Sequence, residues 1–352
     1  MAPLYLAIVG PGLVGAKLIS QIAALPSAAA RFRVVYITSS TRSIRTLDGI
    51  DLSTWKASLN SSTTKPDLGS LPSTIAQLVP TGGKVVVVDN TSSDDVATLY
   101  PTFLSGGLSV VTPNKKAYSS SLELYNQILS TSATHGTSIL NESTVGAGLP
   151  IISTLKDLVQ TGDKIIKIEG VLSGTLSYIF NEFSSVNGPA KPFSSVVKVA
   201  KEQGYTEPHP ADDLSGADVA RKLTILSRLI PELAQKLPQG YKSVSITTSG
   251  LGDDFVRRLV DFDHEYDNLR RAAAKEGKVL RYVGVIDVAA GVIKAALEPY
   301  PVTHPFATSL SGSDNIIAFH TERYGARPLI VQGAGAGADV TAMGVLGDLF
   351  KI

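Results

Sequence analysis

The chain has 352 residues, of which 43% are apolar and 18% are charged, and its formal net charge is +1. This length allows two domains with sizeable cores, and the balanced charge favours neither nucleic acid nor an acidic membrane surface as a partner. The sequence contains no cysteine, which excludes thiolate catalysis, thiol metal sites and disulfides.

The first residues predict a dinucleotide-binding turn. An apolar strand, Leu4 to Val9, runs into Gly10-Pro11-Gly12-Leu13-Val14-Gly15, and a helical pattern follows. The glycines of such a motif permit a tight turn and the close approach of a pyrophosphate to the helix N-terminus. We therefore expect cofactor contacts at Gly10, Gly12, Leu13, Val14 and Gly15. The alternative is a glycine-rich turn without a ligand.

The N-terminal stretch does not have the pattern of a signal peptide. It is apolar, but it shows neither a basic leader nor a cleavage site, and no apolar run in the chain reaches the roughly 20 residues that a membrane span requires. We expect a cytoplasmic protein without a membrane partner.

The second strand, Phe32 to Thr38, is followed by residues that bear on cofactor choice. NAD-selective enzymes commonly carry an acidic residue at this point, where it binds the ribose 2′-hydroxyl. This chain has Thr38-Ser39-Ser40-Thr41-Arg42, with Arg45 nearby. Hydroxyls and arginines tolerate a phosphate, so the sequence is compatible with NADP as well as NAD. Alternatively, the two arginines are exposed loop charges.

Polar residues follow two further strands of the predicted parallel sheet. Lys84 to Asp89 leads into Asn90-Thr91-Ser92-Ser93, and Leu108 to Val111 leads into Thr112-Pro113-Asn114-Lys115-Lys116. Ligands gather outside the carboxyl ends of parallel strands. We therefore expect Thr91 and Ser92 to face the cofactor and Lys115 to lie at the same edge, although an exposed lysine pair is the alternative.

The rest of the chain predicts a second domain. A helix from Ile151 to about Gln160 leaves the first domain, and from Lys278 onward the apolar residues alternate as in antiparallel strands. The small residues after Gly333 predict a helix that returns to the first domain and covers the cofactor site. The expected fold is α/β, with a Rossmann-type domain of residues 1–150 completed by 334–352, and an α+β domain of residues 151–333 with a mixed sheet.

The segment Gly204 to Lys222 is the candidate for the chemistry. A helix is expected from about Asp213, and Asp218 and Lys222 fall within its apolar arc, whereas the opposite side, with Arg221, Thr224, Ser227 and Arg228, has the composition of a solvated face. On a surface such a pair contributes a few tenths of a kcal/mol. Among core positions each ion loses several kcal/mol of solvation, which favours a buried bridge or a functional site.

These groups suit a nicotinamide dehydrogenase. Hydride transfer requires a group that exchanges the alcohol proton, and a buried lysine can do so because burial lowers the pKa of an amine while a neighbouring carboxylate raises it. Lys222 beside Asp218 fits this role. Glu207 and Asp212 suit a substrate ammonium group. A small amino acid with a side-chain alcohol would satisfy all of these residues.

The motifs of this chain resemble those of the homoserine dehydrogenase family, in its short fungal form. The segment Gly-Tyr-Thr-Glu-Pro at 204–208, followed by Asp-Asp-Leu at 212–214 and Asp-Val-Ala-Arg-Lys at 218–222, is specific to that family. Matching motifs run through nearly the whole chain: Gly10–Gly15, Val88–Ser93, Thr112–Ala117, Glu142–Pro150, Gly170–Phe183, His304–Ala307 and Gly333–Gly337. His209 departs from the pattern because an acidic residue is familiar there.

The resemblance implies the interconversion of L-homoserine and L-aspartate 4-semialdehyde with NADP or NAD. It implies Lys115 and Lys222 as catalytic lysines with Asp218 as partner of Lys222. Other implied roles are substrate binding by Glu207, Asp212, Gly174 and Thr175, cofactor contacts at Thr91, Ser92, Lys115 and Gly337, and a sodium ion held mainly by backbone carbonyls at Glu142, Val145, Ala147 and Leu149. It also implies a homodimer joined through the second domain.

Two alternatives remain open from the residues alone. One is another amino-acid or sugar dehydrogenase built on the same two-domain plan. The other is a cofactor-sensing protein without catalysis, in which Lys222 could be lost without effect.

Overall fold

The computed structural model describes residues 3–26, 28–186, 188–206, 213–247, 258–310 and 312–352. The chain divides into two compact units. The first contains the chain up to Gly148 together with Gly337–Ile352, and the second spans Leu149–Ala336. The sequence had placed these divisions after residues 150 and 333.

A six-stranded sheet forms the centre of the first unit. Its strands are β1 (Leu4–Val9), β2 (Phe32–Thr38), β3 (Ser43–Arg45), β4 (Val85–Asp89), β5 (Leu108–Val111) and β6 (Ile139–Leu140). The order is β3-β2-β1-β4-β5-β6, and the strands pair in parallel except for β3, which is antiparallel to β2. The helices are α1 (Leu13–Ala24), α2 (Ala28–Arg31), α3 (Trp55–Ser61), α4 (Leu71–Ala76), α5 (Asp94–Thr98), α6 (Tyr100–Ser105), α7 (Lys116–Ser119) and α8 (Leu122–His135).

The burial of β1 and β4 and their place in the strand order indicate where a ligand site can form. Both strands are buried along their whole length, as expected for continuous apolar runs in a parallel sheet covered on both faces. β1 lies between β2 and β4, so the strand order reverses at β1 and β4. Open sheets of this kind bind ligands outside the carboxyl ends of the strands at such a switch point. Here that position belongs to Gly10 and Asn90.

A mixed sheet forms the centre of the second unit. Its strands are β7 (Ile165–Val171), β8 (Ser245–Thr247), β9 (Lys278–Asp287), β10 (Val292–Pro301), β11 (Asp314–Thr321) and β12 (Leu329–Ala334), in the order β12-β11-β7-β9-β10-β8. All neighbours are antiparallel except β8 and β10. The helices are α9 (Ile152–Gln160), α10 (Gly174–Phe183), α11 (Phe193–Glu202), α12 (Ala217–Ser227), α13 (Asp263–Lys275) and α14 (Pro305–Thr308). The predicted combination of a Rossmann-type sheet and an α+β mixed sheet is confirmed.

Helix α12 packs closely on the mixed sheet. A Cβ added at Gly284 of β9 would lie 2.8 Å from Leu223 and 3.2 Å from Val219, so glycine lets the helix approach the strand. Beside it, Phe180, Phe193 and Tyr266 stack into an aromatic cluster, with 3.9 Å between the ring centroids of Phe193 and Tyr266. The second unit therefore has its own core.

The last helix, α15 (Ala338–Leu349), belongs to the first unit. Val345 and Leu349 are part of the same apolar core as β1 and β4. The side chain of Gln21 in α1 also donates a hydrogen bond of 2.8 Å to the carbonyl oxygen of Asp339. The C-terminal helix is thus part of the first unit, and its covering of the cofactor site stays a prediction.

The predicted solvated face of α12 is wrong. Thr224, Ser227 and Arg228 are buried. The two hydroxyls donate to carbonyl oxygens of their own helix, Thr224 to Ala220 at 2.9 Å and Ser227 to Thr224 at 3.0 Å. Short polar side chains can be buried in this way because the helix itself supplies the acceptor.

Two smaller features complete the fold. Strand β3 turns back on β2, and α13 is a helix with many charged residues. Across the described ranges, none of the helices combines the length and the apolar character needed to cross a bilayer.

Candidate active site

The glycine turn after β1 has the geometry of a pyrophosphate site. Gly10 has a φ of +80°, and a Cβ there would lie 2.6 Å from the side chain of Thr91. A Cβ at Gly15 would lie 2.4 Å from the carbonyl oxygen of Gly10, whereas no described atom comes within 4 Å of a Cβ added at Gly12. Gly10 and Gly15 thus allow the tight turn. Gly12 leaves open space at the start of α1, beside the exposed Leu13.

Asn90 supplies an independent indication of a ligand. Its side chain lies near Gly15, and neither its amide nitrogen nor its oxygen has a hydrogen-bond partner among the described residues, although both atoms are buried. A buried polar group left unpaired costs about 1–3 kcal/mol. A polar ligand at the glycine turn would satisfy it, so these residues fit a dinucleotide.

A buried polar network holds the ends of β4 and β5 together. The carboxylate of Asp89 accepts hydrogen bonds from the hydroxyl of Tyr100 at 2.6 Å, from the side-chain amide of Asn114 at 3.0 Å and from the backbone N–H of Thr91 at 2.8 Å. Burial, and next the charge of Asp89, raise the pKa of Tyr100 well above its ordinary value, so the phenol stays a donor. The network fixes Thr91, and it was not predicted from the sequence.

The two lysines after β5 have different surroundings. The ammonium group of Lys116 lies 2.7 Å from Asp94 in a surface ion pair. Lys115 is half-buried and caps α7, and its carbonyl oxygen accepts the hydroxyl proton of Ser119 at 2.8 Å. Ser92 is exposed after β4. Lys115, Thr91 and Ser92 all follow the carboxyl ends of neighbouring strands.

The loop expected to hold sodium packs against α15. The backbone N–H of Glu142 donates to Asp348 at 2.8 Å, and a Cβ at Gly344 would lie 2.2 Å from the hydroxyl oxygen of Ser143. Lys351 lies 2.8 Å from Asp348 and 3.6 Å from Glu142. Burial alone would lower the pKa of Lys351, but these two carboxylates raise it above its ordinary value.

The same loop has a backbone suited to a cation. Residues 141–147 are buried, and Gly146 and Ala147 have φ values of +74° and +55°. Buried carbonyl oxygens in an irregular segment need partners, and a sodium ion could serve Val145 and Ala147. Leu149 begins the second unit. Within the described ranges, no group of three or more His, Asp or Glu side chains forms a metal cluster.

Lys222 is held in the second unit by two acceptors. Its ammonium group lies 2.7 Å from the carboxylate of Asp218 and donates to the carbonyl oxygen of Leu172 at 2.6 Å. Lys222 is buried, whereas about half of the Asp218 side chain is exposed. Leu172 follows β7 directly, so the strand end fixes the amine. The predicted position within the buried side of the helix is confirmed for Lys222 and is wrong for Asp218, whose side chain is 49% exposed.

The start of α10 lies next to this strand end. Ser173 caps the helix by accepting the N–H of Leu176 at 3.2 Å, and Gly174 and Thr175 form its first turn. The hydroxyl of Thr175 lies 2.6 Å from the carbonyl oxygen of Tyr205 and 2.9 Å from Asp213. The predicted substrate residues Glu207 and Asp212 lie outside the described residues.

Two further predicted cofactor positions are described. Gly337 has a φ of +120° and precedes α15, which explains the need for glycine there. After β2, the guanidinium of Arg42 donates to the carbonyl oxygen of Asn60, while Arg45 is exposed. Arg42 is thereby anchored close to the end of β2.

A second polar cluster lies on the other side of the mixed sheet. Strand residues alternate between faces, so Val285 faces away from α12 when Gly284 faces it. Val285 lines a cavity of about 590 Å³ together with Glu169, and the buried Glu169 carboxylate binds Lys167 at 2.6 Å, Tyr300 at 2.9 Å and His320 at 3.0 Å. This cluster lies apart from Lys222, and its residues come from strands too distant in sequence to be predicted as a group.

Comparison with known proteins gives the class of this site. Residues 10–142 match the family described as homoserine dehydrogenase, NAD binding domain, and residues 150–350 match homoserine dehydrogenase. With the glycine turn at the switch point, this defines an NAD(P)-dependent oxidoreductase. Homoserine dehydrogenase of Saccharomyces cerevisiae is 46% identical over 356 residues, which cover 98% of this chain and 97% of that protein. The chain belongs to the homoserine dehydrogenase family, as the resemblance predicted.

Solved structures share the fold of this chain. A crystal structure of a Candida auris protein of unknown function has a TM-score of 0.89 and 43% identity, with 99% of this chain and 97% of that chain covered. A hyperthermophilic archaeal homoserine dehydrogenase in complex with NADPH has a TM-score of 0.72 at 23% identity, covering 99% and 96% of the two chains. The latter likeness concerns the fold.

Proposed function

We propose that the protein interconverts L-homoserine and L-aspartate 4-semialdehyde, with NADP or NAD as the hydride carrier, on the route from aspartate to threonine, isoleucine and methionine. The observation that carries the proposal is the buried ammonium of Lys222 between Asp218 and the carbonyl oxygen of Leu172. Membership of the family and the name of the yeast relative support it.

Lys222 is proposed as the group that handles the alcohol proton. A nicotinamide bound by the glycine turn would supply the hydride acceptor for the alcohol carbon. The hydroxyl proton must then leave the substrate oxygen. Lys222 would receive this proton as a neutral amine, and as the resulting ammonium it would return the proton in the reverse direction. Asp218 balances the charge of Lys222. Lys115 is proposed as the second catalytic lysine and as a cofactor contact.

Substrate binding is assigned to the second unit. Glu207 and Asp212 are proposed to bind the substrate ammonium because carboxylates suit a cation. Gly174 and Thr175 are proposed to bind the substrate carboxylate through the first backbone amides of α10, which no earlier turn of the helix can satisfy.

NADP is proposed as an accepted cofactor alongside NAD. The binding residues are the glycine turn of residues 10–15 with Thr91, Ser92 and Gly337. Thr38 to Arg42 contains no carboxylate that would repel a 2′-phosphate, and Arg42 offers a positive charge. We expect Arg42→Ala to reduce kcat/KM with NADP more than with NAD.

Sodium binding and dimer formation are further proposals. Sodium would be held by the carbonyls of Glu142, Val145, Ala147 and Leu149, and a thermal-unfolding shift in sodium but not choline chloride tests this. A homodimer joined through residues 149–336 predicts twice the chain mass in light scattering. A cytoplasmic location stays a prediction.

Steady-state oxidation of L-homoserine with NADP and with NAD tests the main proposal. We expect turnover with at least one cofactor, measured as reduced nicotinamide at 340 nm. If the protein binds the cofactor but oxidises no homoserine, the dehydrogenase proposal fails and the cofactor-sensing alternative gains support. Turnover of a different amino-acid alcohol alone would favour another dehydrogenase on the same plan.

A further inference from the structure

Thr175 in the first turn of α10 reaches two distant points of the chain. Its hydroxyl oxygen lies 2.6 Å from the carbonyl oxygen of Tyr205, 30 residues further on, and 2.9 Å from the Asp213 carboxylate, 38 residues further on. A carbonyl oxygen and an ionised carboxylate only accept, and a hydroxyl carries a single proton, so Thr175 donates to one of them at a time. The hydroxyl is therefore engaged by the protein itself.

Tyr178 strengthens the same contact. It lies on the same face of α10 as Thr175, because residues three apart are neighbours on a helix. Its ring stacks on that of Tyr205, with centroids 4.5 Å apart and an interplanar angle of 30°, and its hydroxyl donates to the Gln203 side chain at 3.1 Å. One face of α10 thus holds the chain from Gln203 to Tyr205.

The main chain of Thr175 has a different task. In the first turn of a helix, the backbone amides have no partner within the helix and point along the axis, where they bind anions. Gly174 and Thr175 are the residues proposed above to bind the substrate carboxylate. Their amides can do so without the Thr175 hydroxyl, which turns toward Tyr205 and Asp213.

We infer that the Thr175 hydroxyl is a positioning group and not a substrate ligand. It contacts both Tyr205 and Asp213 and donates to one of them at a time, and the sequence between these two residues includes Glu207 and Asp212. Both ends of this segment are then held against α10, the helix whose first amides are proposed above to bind the substrate carboxylate. The inference rests on the proposed function for its effect on turnover.

Amide hydrogen exchange of the ligand-free protein tests the structural part. Thr175→Val keeps the shape of the side chain and removes the hydroxyl, and Thr175→Ser keeps the hydroxyl. We expect the peptides that contain Tyr205 and Asp213 to exchange faster in the valine variant and at the wild-type rate in the serine variant. The matched control is Thr154→Val in α9, whose hydroxyl donates to the carbonyl oxygen of Pro150. Unchanged exchange in Thr175→Val would overturn the inference.

Kinetics separate positioning from direct binding. We expect Thr175→Val to lower kcat/KM for homoserine about tenfold, the effect of one lost hydrogen bond, without changing KM for the nicotinamide cofactor. Thr175→Ser should restore most of the loss. In the Asp213→Ala background the same valine substitution should cost less, because the two residues act through one contact.

Full additivity of the two substitutions would assign the hydroxyl to the substrate and contradict the inference. If the wild-type protein does not oxidise homoserine at all, the proposed function fails. The hydrogen-exchange comparison then still decides whether Thr175 positions the chain.

Discussion

Lys116 and Lys222 form ion pairs of the same length with very different surroundings. Each ammonium lies 2.7 Å from an aspartate, yet the side chains of Lys116 and Asp94 are 25% and 63% exposed, whereas those of Lys222 and Asp218 are 8% and 49% exposed. Lys222 also donates to the carbonyl oxygen of Leu172. The comparison teaches that distance alone does not identify a functional lysine. The loss of water around the ammonium and a second fixed acceptor distinguish Lys222.

The largest expected effect separates the two lysines directly. Lys222→Met keeps the length of the side chain and removes the amine, and we expect kcat for homoserine to fall by about 10²–10⁴, as when a proton-transfer group is lost. Lys116→Met removes a surface pair worth about 0–1 kcal/mol and should change kcat by less than about twofold. Steady-state kinetics on both variants, with circular dichroism to verify folding, checks this. Equal losses would remove the distinction between the pairs.

A smaller effect is expected from the aspartates. Asp218→Asn removes the charge but leaves Lys222 bound to Leu172, so we expect kcat to fall by about 10–100-fold, the equivalent of one charge-assisted hydrogen bond. Asp94→Asn is the matched control and should leave kcat unchanged. If Asp218→Asn retains full activity, the carbonyl of Leu172 is sufficient and the carboxylate has no part in turnover.

A third ion pair sharpens the comparison because here the anion is the buried partner. Glu169 is buried and pairs with the more exposed Lys167. Burial alone would raise the pKa of Glu169, but Lys167, the Tyr300 hydroxyl and His320 outweigh it and hold the pKa below its ordinary value. A carboxyl with a depressed pKa stabilises the fold above the unfolded pKa of about 4.3, and this contribution is lost as the pH falls through the folded value.

We therefore expect Glu169→Gln to lower the free energy of unfolding at pH 7 by about 1 kcal/mol and to reduce its dependence on pH below pH 5. Urea unfolding of wild type and variant at pH 7 and at pH 4 measures this. If the free energies of unfolding of the two proteins differ by the same amount at pH 7 and at pH 4, the charge of Glu169 does not contribute to stability. Homoserine turnover at pH 7 should remain unchanged.

The fold was largely predictable because its core strands are locally encoded. Leu4–Val9, Phe32–Thr38 and Leu108–Val111 have the same limits in the sequence analysis and in the structure, since strands covered on both faces are rich in apolar residues. The helix that carries Lys222 was found from its apolar arc. Its other side was misjudged because Thr224 and Ser227 satisfy their hydroxyls within the helix, and polarity alone does not report that.

The site was predictable only where its residues are close in sequence. Asp218 and Lys222 lie one helical turn apart, so a helical wheel brings them together. Asp89 and Asn114 meet only through the pairing of β4 with β5, and Glu169 meets His320 only through the pairing of β7 with β11. Such contacts depend on the tertiary fold, and no local sequence pattern predicts them.

The position of α15 has a consequence for how the chain is made. Val345 and Leu349 share a core with β1, so residues on both sides of 149–336 in the chain are needed to complete the first unit. While the ribosome translates residues 149–336, the apolar surface of the first sheet that α15 covers is still exposed to water. Deleting the residues after Gly337 would therefore leave the first unit with an incomplete apolar core.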